Sequence, residues 1–464
     1  MRTHRVGRIV GRLAEPRLSR RRALRAGGAA LAAASLAPSG PRAAPALGHG
    51  APAAATPEAS PDGQAVPVTG QAVPELAAFD RAVAGLMAAW GVPGAQLAVA
   101  KDGRLVLDRG YGFGDVERRE PVSPDSLFRI ASISKTITAV AILTLVDDGT
   151  LSLDDHAFPL LALEPPANAT VDLRLDAITI RDLLVHAGGW DSRTGVDPQY
   201  LPWSRTAATT VGAPDPPNGA AIVRFMLGMG LDFDPGAKSV YSNFGFNVLG
   251  RVIEQVAGEG YEDYVTARVL GPAGVADMRL AGTRLAERAP GEVRYYPPPG
   301  YPTVPSVFPG EGFVGMPYGN YYLKGMDAHG GWIARTADLV RFATAVDGQR
   351  GAALLRPATV DRMLHAARPP AEGLNGAAND RPATGLGWVV QPGPGGLTWA
   401  HTGALGGGTG AYLARIESGV AIAFVGNTLP ADFVGYLAAV TGTLPAVAAG
   451  IEAWPDHDLF AAGA

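Results

Sequence analysis

Three short groups of residues join side chains that can do chemistry together. The first is Ser132-x-x-Lys135, set in Phe128-Arg129-Ile130-Ala131-Ser132-Ile133-Ser134-Lys135-Thr136. A serine hydroxyl is a weak nucleophile at its own pKa and needs a base. Residues three apart on a helix share a face, so Lys135 can stand beside Ser132. An amine kept partly neutral by burial can accept the hydroxyl proton. Ser134 adjoins the lysine and would point off its face, so the spacing selects Ser132. It is the one Ser-x-x-Lys in a chain of four lysines and 15 serines, and alone it reads as a helix cap followed by a solvated lysine. The second group is Tyr241-x-Asn243, directly before a helix pattern. A phenol near a lysine can relay protons; the plainer reading is an aromatic at a core boundary. Tyr-x-Asn recurs at Tyr318 and Asn320, inside a Pro- and Gly-rich stretch, where it reads as coincidence. The third group is His401-Thr402-Gly403, after a strand pattern and before Ala404 and Gly406-Gly407-Gly408. Alone it reads as a strand end turning into glycines.

These groups need elements to hold them. A helix over about 132–148 is apolar nearly all round through Ile137, Val140, Ala141, Leu143 and Leu145, which predicts burial, and Gly149 suits its C-cap. Gln96–Ala100 and Leu105–Leu107 flank Asp102-Gly103, a hairpin signal. Thr179 is a candidate N-cap for a short helix to His186. Helices are also expected after Tyr241, over 261–270, 336–346, 357–366 and 431–447. Strands are expected over 395–401, 410–416 and 420–427, the last two as a hairpin through Glu417-Ser418-Gly419. Residues 190–220 read as irregular. Residues 289–325 read as a long ordered loop whose tyrosines and phenylalanines line a pocket. Strands at both ends and helices between them predict an α/β (α+β) fold. It is an antiparallel β-sheet flanked by helices, built from both ends of the chain, with an inserted, mostly helical subdomain.

Composition narrows the function. Apolar residues make up 47% of 464 and the net charge is −4, with no long run of one sign in the body. That supports a packed core and argues against a general nucleic-acid binder. With no cysteine, disulfides, thiol nucleophiles and Cys-ligated metals are excluded. The eight histidines show no ligand spacing, so no metal and no cofactor is expected.

The N-terminus reads as an address. Ser19-Arg20-Arg21-Arg22-Ala23-Leu24-Arg25 resembles a twin-arginine export signal, and the apolar run after it is too short for a membrane span. The expected organisation is a signal peptide over 1–47, a disordered linker over 48–72, one catalytic domain over 73–450 and a tail over 451–464. Within the domain the sheet part covers about 73–131 and 326–450, and the helical part about 132–325. The expected location is secreted or periplasmic, with no stable membrane anchor.

In this order, Ser-x-x-Lys, Tyr-x-Asn and His-Thr-Gly resemble the serine β-lactamase and penicillin-recognising family. The spacings of 109 and 160 residues resemble its class C branch, with D,D-carboxypeptidases, D-aminopeptidases and family VIII esterases. Leu127–Lys135, Ile178–Gly189, Tyr241–Gly250 and Gly330–Phe342 look like the family as well. The resemblance implies a β-lactamase/transpeptidase-like fold and a serine hydrolase working through an acyl-enzyme on Ser132. It implies that Lys135 and Tyr241 share the acid/base work, either one taking the first proton. Asn243, His401, Thr402, Gly403 and Ala404 would bind the substrate, and the backbone N–H groups of Ser132 and Ala404 would form the oxyanion hole. The implied substrates are small molecules or peptides, peptidoglycan stem peptides among them: esters, D-amino-acid peptides or amides, and β-lactams. One departure stands out. Class C β-lactamases resemble Lys-Thr-Gly where this chain has His401, which moves the expectation from penicillins towards peptides and esters. Two other readings are a catalytically silent cell-wall binding or scaffold module on the same fold, and a Ser-His-Asp hydrolase. The latter calls for Gly-x-Ser-x-Gly, which the sequence lacks.

Overall fold

The computed structural model describes residues 66–193, 195–366 and 383–461. The expected signal peptide and most of the expected linker lie outside them. What the linker expectation missed is its end. Val68–Thr69 (β1) pairs with Tyr111 and Gly110, so ordered chain begins ahead of Pro74.

The hairpin signal becomes β2 (Gly94–Lys101) and β3 (Arg104–Asp115). Asp102 and Gly103 turn between them with φ of 50° and 77°, the left-handed pair that a two-residue hairpin requires. Near the other end come β4 (Val389–Gly393), β5 (Gly396–Leu405), β6 (Thr409–Ile416) and β7 (Val420–Gly426). They join the first hairpin through β7, with Ala98 opposite Ala423. Among the described residues this antiparallel sheet runs in the order β1-β3-β2-β7-β6-β5-β4, with Ala383–Thr384 at the end and Glu120–Pro121 on β3. Both ends of the chain therefore build one sheet.

Side chains alternate across a strand, and here the alternation divides the sheet between two cores. Leu97, Val99, Tyr412, Ile422 and Phe424 face α1 (Ala77–Trp90) and, further along the chain, the helix Phe433–Ala449. Ala98, Ala100, Ala411, Ala421 and Ala423 lie on the opposite face and join the larger core. That core contains α2 (Ser134–Asp147), buried from Ser134 to Leu145 as its all-round apolar pattern predicts.

The helical part adds α3 (Ile180–Leu184), α4 (Trp203–Val211), α5 (Gly219–Met226), α6 (Asn243–Ala257) and α7 (Tyr261–Val265, continuing as a π turn to Leu270). Thr179 caps α3 in a reciprocal box with Asp182. The expectation of irregular chain over 190–220 fails at α4, whose buried side is Ser204, Ala207, Ala208 and Val211. Alanine and serine against threonine give too little contrast for an amphipathic pattern to stand out. Further on, α8 (Thr336–Val346) and α9 (Pro357–Leu364) return the chain to the sheet, and Phe433–Ala449 is α10. The expected tail is also docked in its described part. Asp458 accepts the Leu105 N–H at 2.9 Å, and the Arg341 guanidinium lies 4.1 Å over the Phe460 ring.

The long loop over 289–325 is ordered, and one side chain explains much of it. Arg129, 1% exposed, faces Glu292 at 3.3 Å. It donates to the carbonyls of Pro317, Gly282 and Thr283 at 2.6–3.0 Å and lies 4.4 Å from the Tyr295 ring centroid. Removing one partner from such a buried pair costs about 3–5 kcal/mol, so the loop is tied to the strand that leads into Ser132. Not every aromatic serves it: Phe313 is 71% exposed. Among the described residues no helix is long and apolar enough to cross a membrane.

Candidate active site

Ser132 sits in a 3-10 turn, Ala131–Ile133, that feeds α2. It is not a helix cap. Ala131 has φ of 49°, a conformation costly for an L-residue. Ser134 helps hold it by donating to the Ala131 carbonyl at 2.7 Å. Ser134 is buried and turned to the backbone, while Ser132 is partly exposed.

Lys135 follows one turn later and is 0% exposed. Its Nζ donates to Asn243 Oδ1 at 2.8 Å and to the His329 carbonyl at 3.0 Å, and lies 3.2 Å from Ser132 Oγ. Burial pushes its pKa well below the usual lysine value, and the negative charge of Asp197 opposes that shift. Tyr241 OH is 2.8 Å from Ser132 Oγ. Burial raises its pKa, and Ser132 and Asp197 pull in opposite directions on it.

Tyr241 is aimed by its neighbours. Ser242 caps α6 through Oγ and the Gly245 N–H at 3.1 Å, which places Asn243 at the first turn. His186 holds the residues on both sides of the tyrosine. Its carbonyl accepts the Val240 N–H at 2.8 Å, and its Nδ1 accepts the Ser242 N–H at 3.2 Å. Its ring lies 4.6 Å from the Tyr241 ring. Burial lowers its pKa well below the usual histidine value, so the ring is neutral.

The third side is β5. Its pairing with β4 ends at Ala400 opposite Val389, so among the described residues nothing pairs with that edge over His401–Leu405. The strand runs through His401-Thr402-Gly403 to Leu405, longer than the sequence pattern suggested. Gly403 passes so close to the Ser132 turn that a Cβ there would stand 2.4 Å from the Ile130 carbonyl oxygen. Burial and the nearby Lys135 lower His401 to about 4. Its Nδ1 lies 2.6 Å from the Thr402 carbonyl, an acceptor, so Nδ1 carries the hydrogen and Nε2 the lone pair. The Tyr241 and His401 rings are 6.4 Å apart. Thr402 and Ala404 are partly exposed between buried Gly403 and Leu405.

All three sequence groups thus converge. Ser132, Lys135, Tyr241 and Asn243 share one hydrogen-bonded set, and His401 to Ala404 form the neighbouring edge. The second Tyr-x-Asn does other work: the Tyr318 hydroxyl accepts the Tyr295 N–H at 2.7 Å and its ring faces Arg129. Sequence reasoning passed over His186, the His329 carbonyl and Asp197. His186 lay in a stretch marked as family-like, but its role depends on a hydrogen bond 56 residues away. For the other two the sequence carries no signal.

Gly403→Ala tests the close passage. Overpacking costs about 1–3 kcal/mol, and displacing the nucleophile by about 1 Å can cost roughly 10²-fold in rate. We expect a lower Tm together with a loss of ester turnover of about that size. A variant with wild-type rate and Tm would show that the strand has room.

A family model described as Beta-lactamase matches residues 79–441. Protein flp of Staphylococcus aureus (strain COL) is 29% identical over 181 residues, 39% of this chain and 33% of flp. Penicillin-binding protein 4* of Bacillus subtilis (strain 168) is 27% identical over 306 residues, 64% of this chain and 59% of that protein. The chain thus spans less than two thirds of either relative. Among solved structures it is similar to D-amino acid amidase from Ochrobactrum anthropi SV3 complexed with D-phenylalanine. That match has 25% identity and a TM-score of 0.60, and covers 80% of this chain and 98% of the amidase.

Proposed function

The chain belongs to the β-lactamase family of serine hydrolases, and we propose that it hydrolyses esters or amides through an acyl-enzyme on Ser132. The observation that carries this reading is the arrangement around Ser132 Oγ, with Lys135 Nζ at 3.2 Å and Tyr241 OH at 2.8 Å. Asn243 Oδ1 and the His329 carbonyl accept hydrogens and cannot donate them, so they take two hydrogens of a neutral Lys135 amine. The lone pair is then left facing Ser132.

Burial moves the two groups apart, lysine down and tyrosine up, the pattern that separates a base from an acid. In our reading Lys135 takes the Ser132 proton as Oγ attacks the substrate carbonyl carbon. Tyr241, a phenol at neutral pH, gives a proton to the leaving alcohol or amine as its bond to that carbon breaks. The proton that Lys135 took then passes to Tyr241, so both groups are reset, and water repeats the sequence on the acyl-enzyme ester and releases the acid. The backbone N–H groups of Ser132 and Ala404 are the proposed oxyanion donors, each worth about 10²–10³ in rate. A neutral His401 gives no cation for a substrate carboxylate. This supports esters, peptides and amides over β-lactams.

A fluorophosphonate probe tests the assignment. Ser132 should carry the adduct, located by peptide mass. No adduct on Ser132, or one placed on another serine, would overturn it. A panel of p-nitrophenyl esters, D-amino-acid amides, D-Ala-D-Ala peptides and nitrocefin then ranks the leaving groups.

A further inference from the structure

Two buried residues of the long loop, Tyr295 and Pro317, touch chain on both sides of the proposed oxyanion hole. On one side the Tyr295 hydroxyl accepts the Arg129 N–H at 2.8 Å and donates to Glu292 Oε1 at 2.9 Å. The Pro317 carbonyl takes the Arg129 guanidinium at 2.6 Å, and Arg129 stands three residues before Ser132. On the other side is the turn Gly406-Gly407-Gly408, which begins two residues after Ala404. A Cβ on Gly408 would stand 3.3 Å from Pro317 Cβ and 3.5 Å from Tyr295 Cβ, and one on Gly406 would stand 2.9 Å from Met316 Sδ. The glycines let the loop sit directly on that turn. The Tyr295 N–H also donates to the hydroxyl of Tyr318, next to Pro317, at 2.7 Å, so the two residues belong to one unit.

An oxyanion hole works only when both donors reach one oxygen position, at about 2.7–3.1 Å from it. Here the donors belong to different parts of the fold, Ser132 to the turn before α2 and Ala404 to β5. Those segments pass each other at Ile130 and Gly403, just before Ala404. The loop adds a second contact just beyond it, so Ala404 is held on both sides. A buried hydrogen-bond network whose members are satisfied stiffens what it joins, and the Tyr295 hydroxyl is paired both as donor and as acceptor.

We propose that Tyr295 and Pro317 clamp the oxyanion hole, fixing the spacing between the Ser132 and Ala404 N–H groups by bridging Arg129 to Gly408. This rests on the acyl-enzyme reading of Ser132. Both are positioning residues, because they act through Arg129 and Gly408 and move no proton in the reaction. A contact that matters only once the oxyanion forms changes kcat and leaves KM in place.

The test uses Tyr295→Phe and Pro317→Gly. The first keeps the ring on Arg129 and removes the hydroxyl. The second removes the ring from Gly408 and frees the carbonyl that takes Arg129. A p-nitrophenyl ester gives kcat and KM, with active sites counted by fluorophosphonate titration so that rates refer to folded enzyme. Phenylboronic acid gives the affinity for a tetrahedral anion on Ser132 Oγ, with a hydroxyl where the oxyanion would sit. In each variant kcat should fall by about tenfold or more, part of the roughly 10²–10³ that one donor contributes, with KM within about twofold of wild type. Boronate affinity should fall by the same factor as kcat/KM. A kcat within about twofold of wild type, whatever the change in Tm, would reduce the loop to a stability device and end the proposal. So would a lower kcat with unchanged boronate affinity. If Tyr295→Phe does not fold, Pro317→Gly decides alone. Ser132→Ala is run in parallel. Retained turnover there defeats the acyl-enzyme reading and this proposal with it, whereas lost turnover there with wild-type kcat in the two loop variants defeats the clamp alone.

Discussion

Ser132→Ala should lower turnover of an activated ester by about 10⁴-fold or more. No neighbouring group can stand in for the hydroxyl. Ser134 donates to the Ala131 carbonyl and is buried. Lys135 is enclosed and spends its hydrogens on Asn243 and His329. Stability should hardly change. Ser132 is partly exposed, and the substitution removes a neighbour that two other groups share without orphaning a backbone donor, so we expect a shift of about 1 kcal/mol or less. Steady-state hydrolysis of a p-nitrophenyl ester checks the rate, a melting curve checks the fold, and intact mass checks that the fluorophosphonate adduct is gone. Turnover within tenfold of wild type, in a protein that melts normally, would remove Ser132 from the chemistry.

How much of this could be read from the chain depends on how far each feature reaches. Ser132 and Lys135 are a local pair: three residues and a helix bring them together. The hairpin at Asp102-Gly103 and the burial of α2 are local as well, and the sequence patterns predict both. Tyr241 and His401 could be marked only by order and spacing, because 109 and 160 residues of chain separate the three groups. What could not be read is what depends on a distant partner. Arg129 is one arginine among 35, and nothing local says that it will order the loop through the carbonyls of Gly282, Thr283 and Pro317. Among the described residues the edge of β5 is free beyond Ala400 because its pairing with β4 ends at Val389, and β4 itself went unmarked in a Gly- and Pro-rich stretch. Helix α4 was missed because alanine and serine make its buried side. Asp197 sits in chain with no periodicity at all, and its charge reaches Lys135 only through the tertiary fold.

Lys135→Met should lower kcat/KM by roughly 10³-fold, within the 10²–10⁴ range of general-base catalysis, and should remove the acid limb of the pH profile. The sign follows from the role. A base works in its neutral form, so activity falls as pH drops through the Lys135 pKa. Burial puts that pKa well below the usual lysine value, so the wild-type limb lies where an exposed lysine would give no activity. A limb that belonged to a histidine would instead survive in Lys135→Met. His401 titrates at about 4, and burial lowers His186 well below the usual histidine value. Tyr241→Phe separates the partners. It removes the proton donor and slows the reaction, but it leaves Lys135 in place, so the acid limb should persist at reduced height. The reverse outcome, with the limb kept in Lys135→Met and lost in Tyr241→Phe, would assign the first proton to the tyrosine. Stability is the difference of two opposing changes in Lys135→Met. Methionine relieves the burial of an amine, while Asn243 Oδ1 and the His329 carbonyl each lose a donor at about 1–3 kcal/mol. The two offset each other, so the melting temperature should move little while the rate falls by orders of magnitude. The pH profile distinguishes a base from a lysine that only holds α2 and α6 together, whose removal would leave the shape of that profile unchanged.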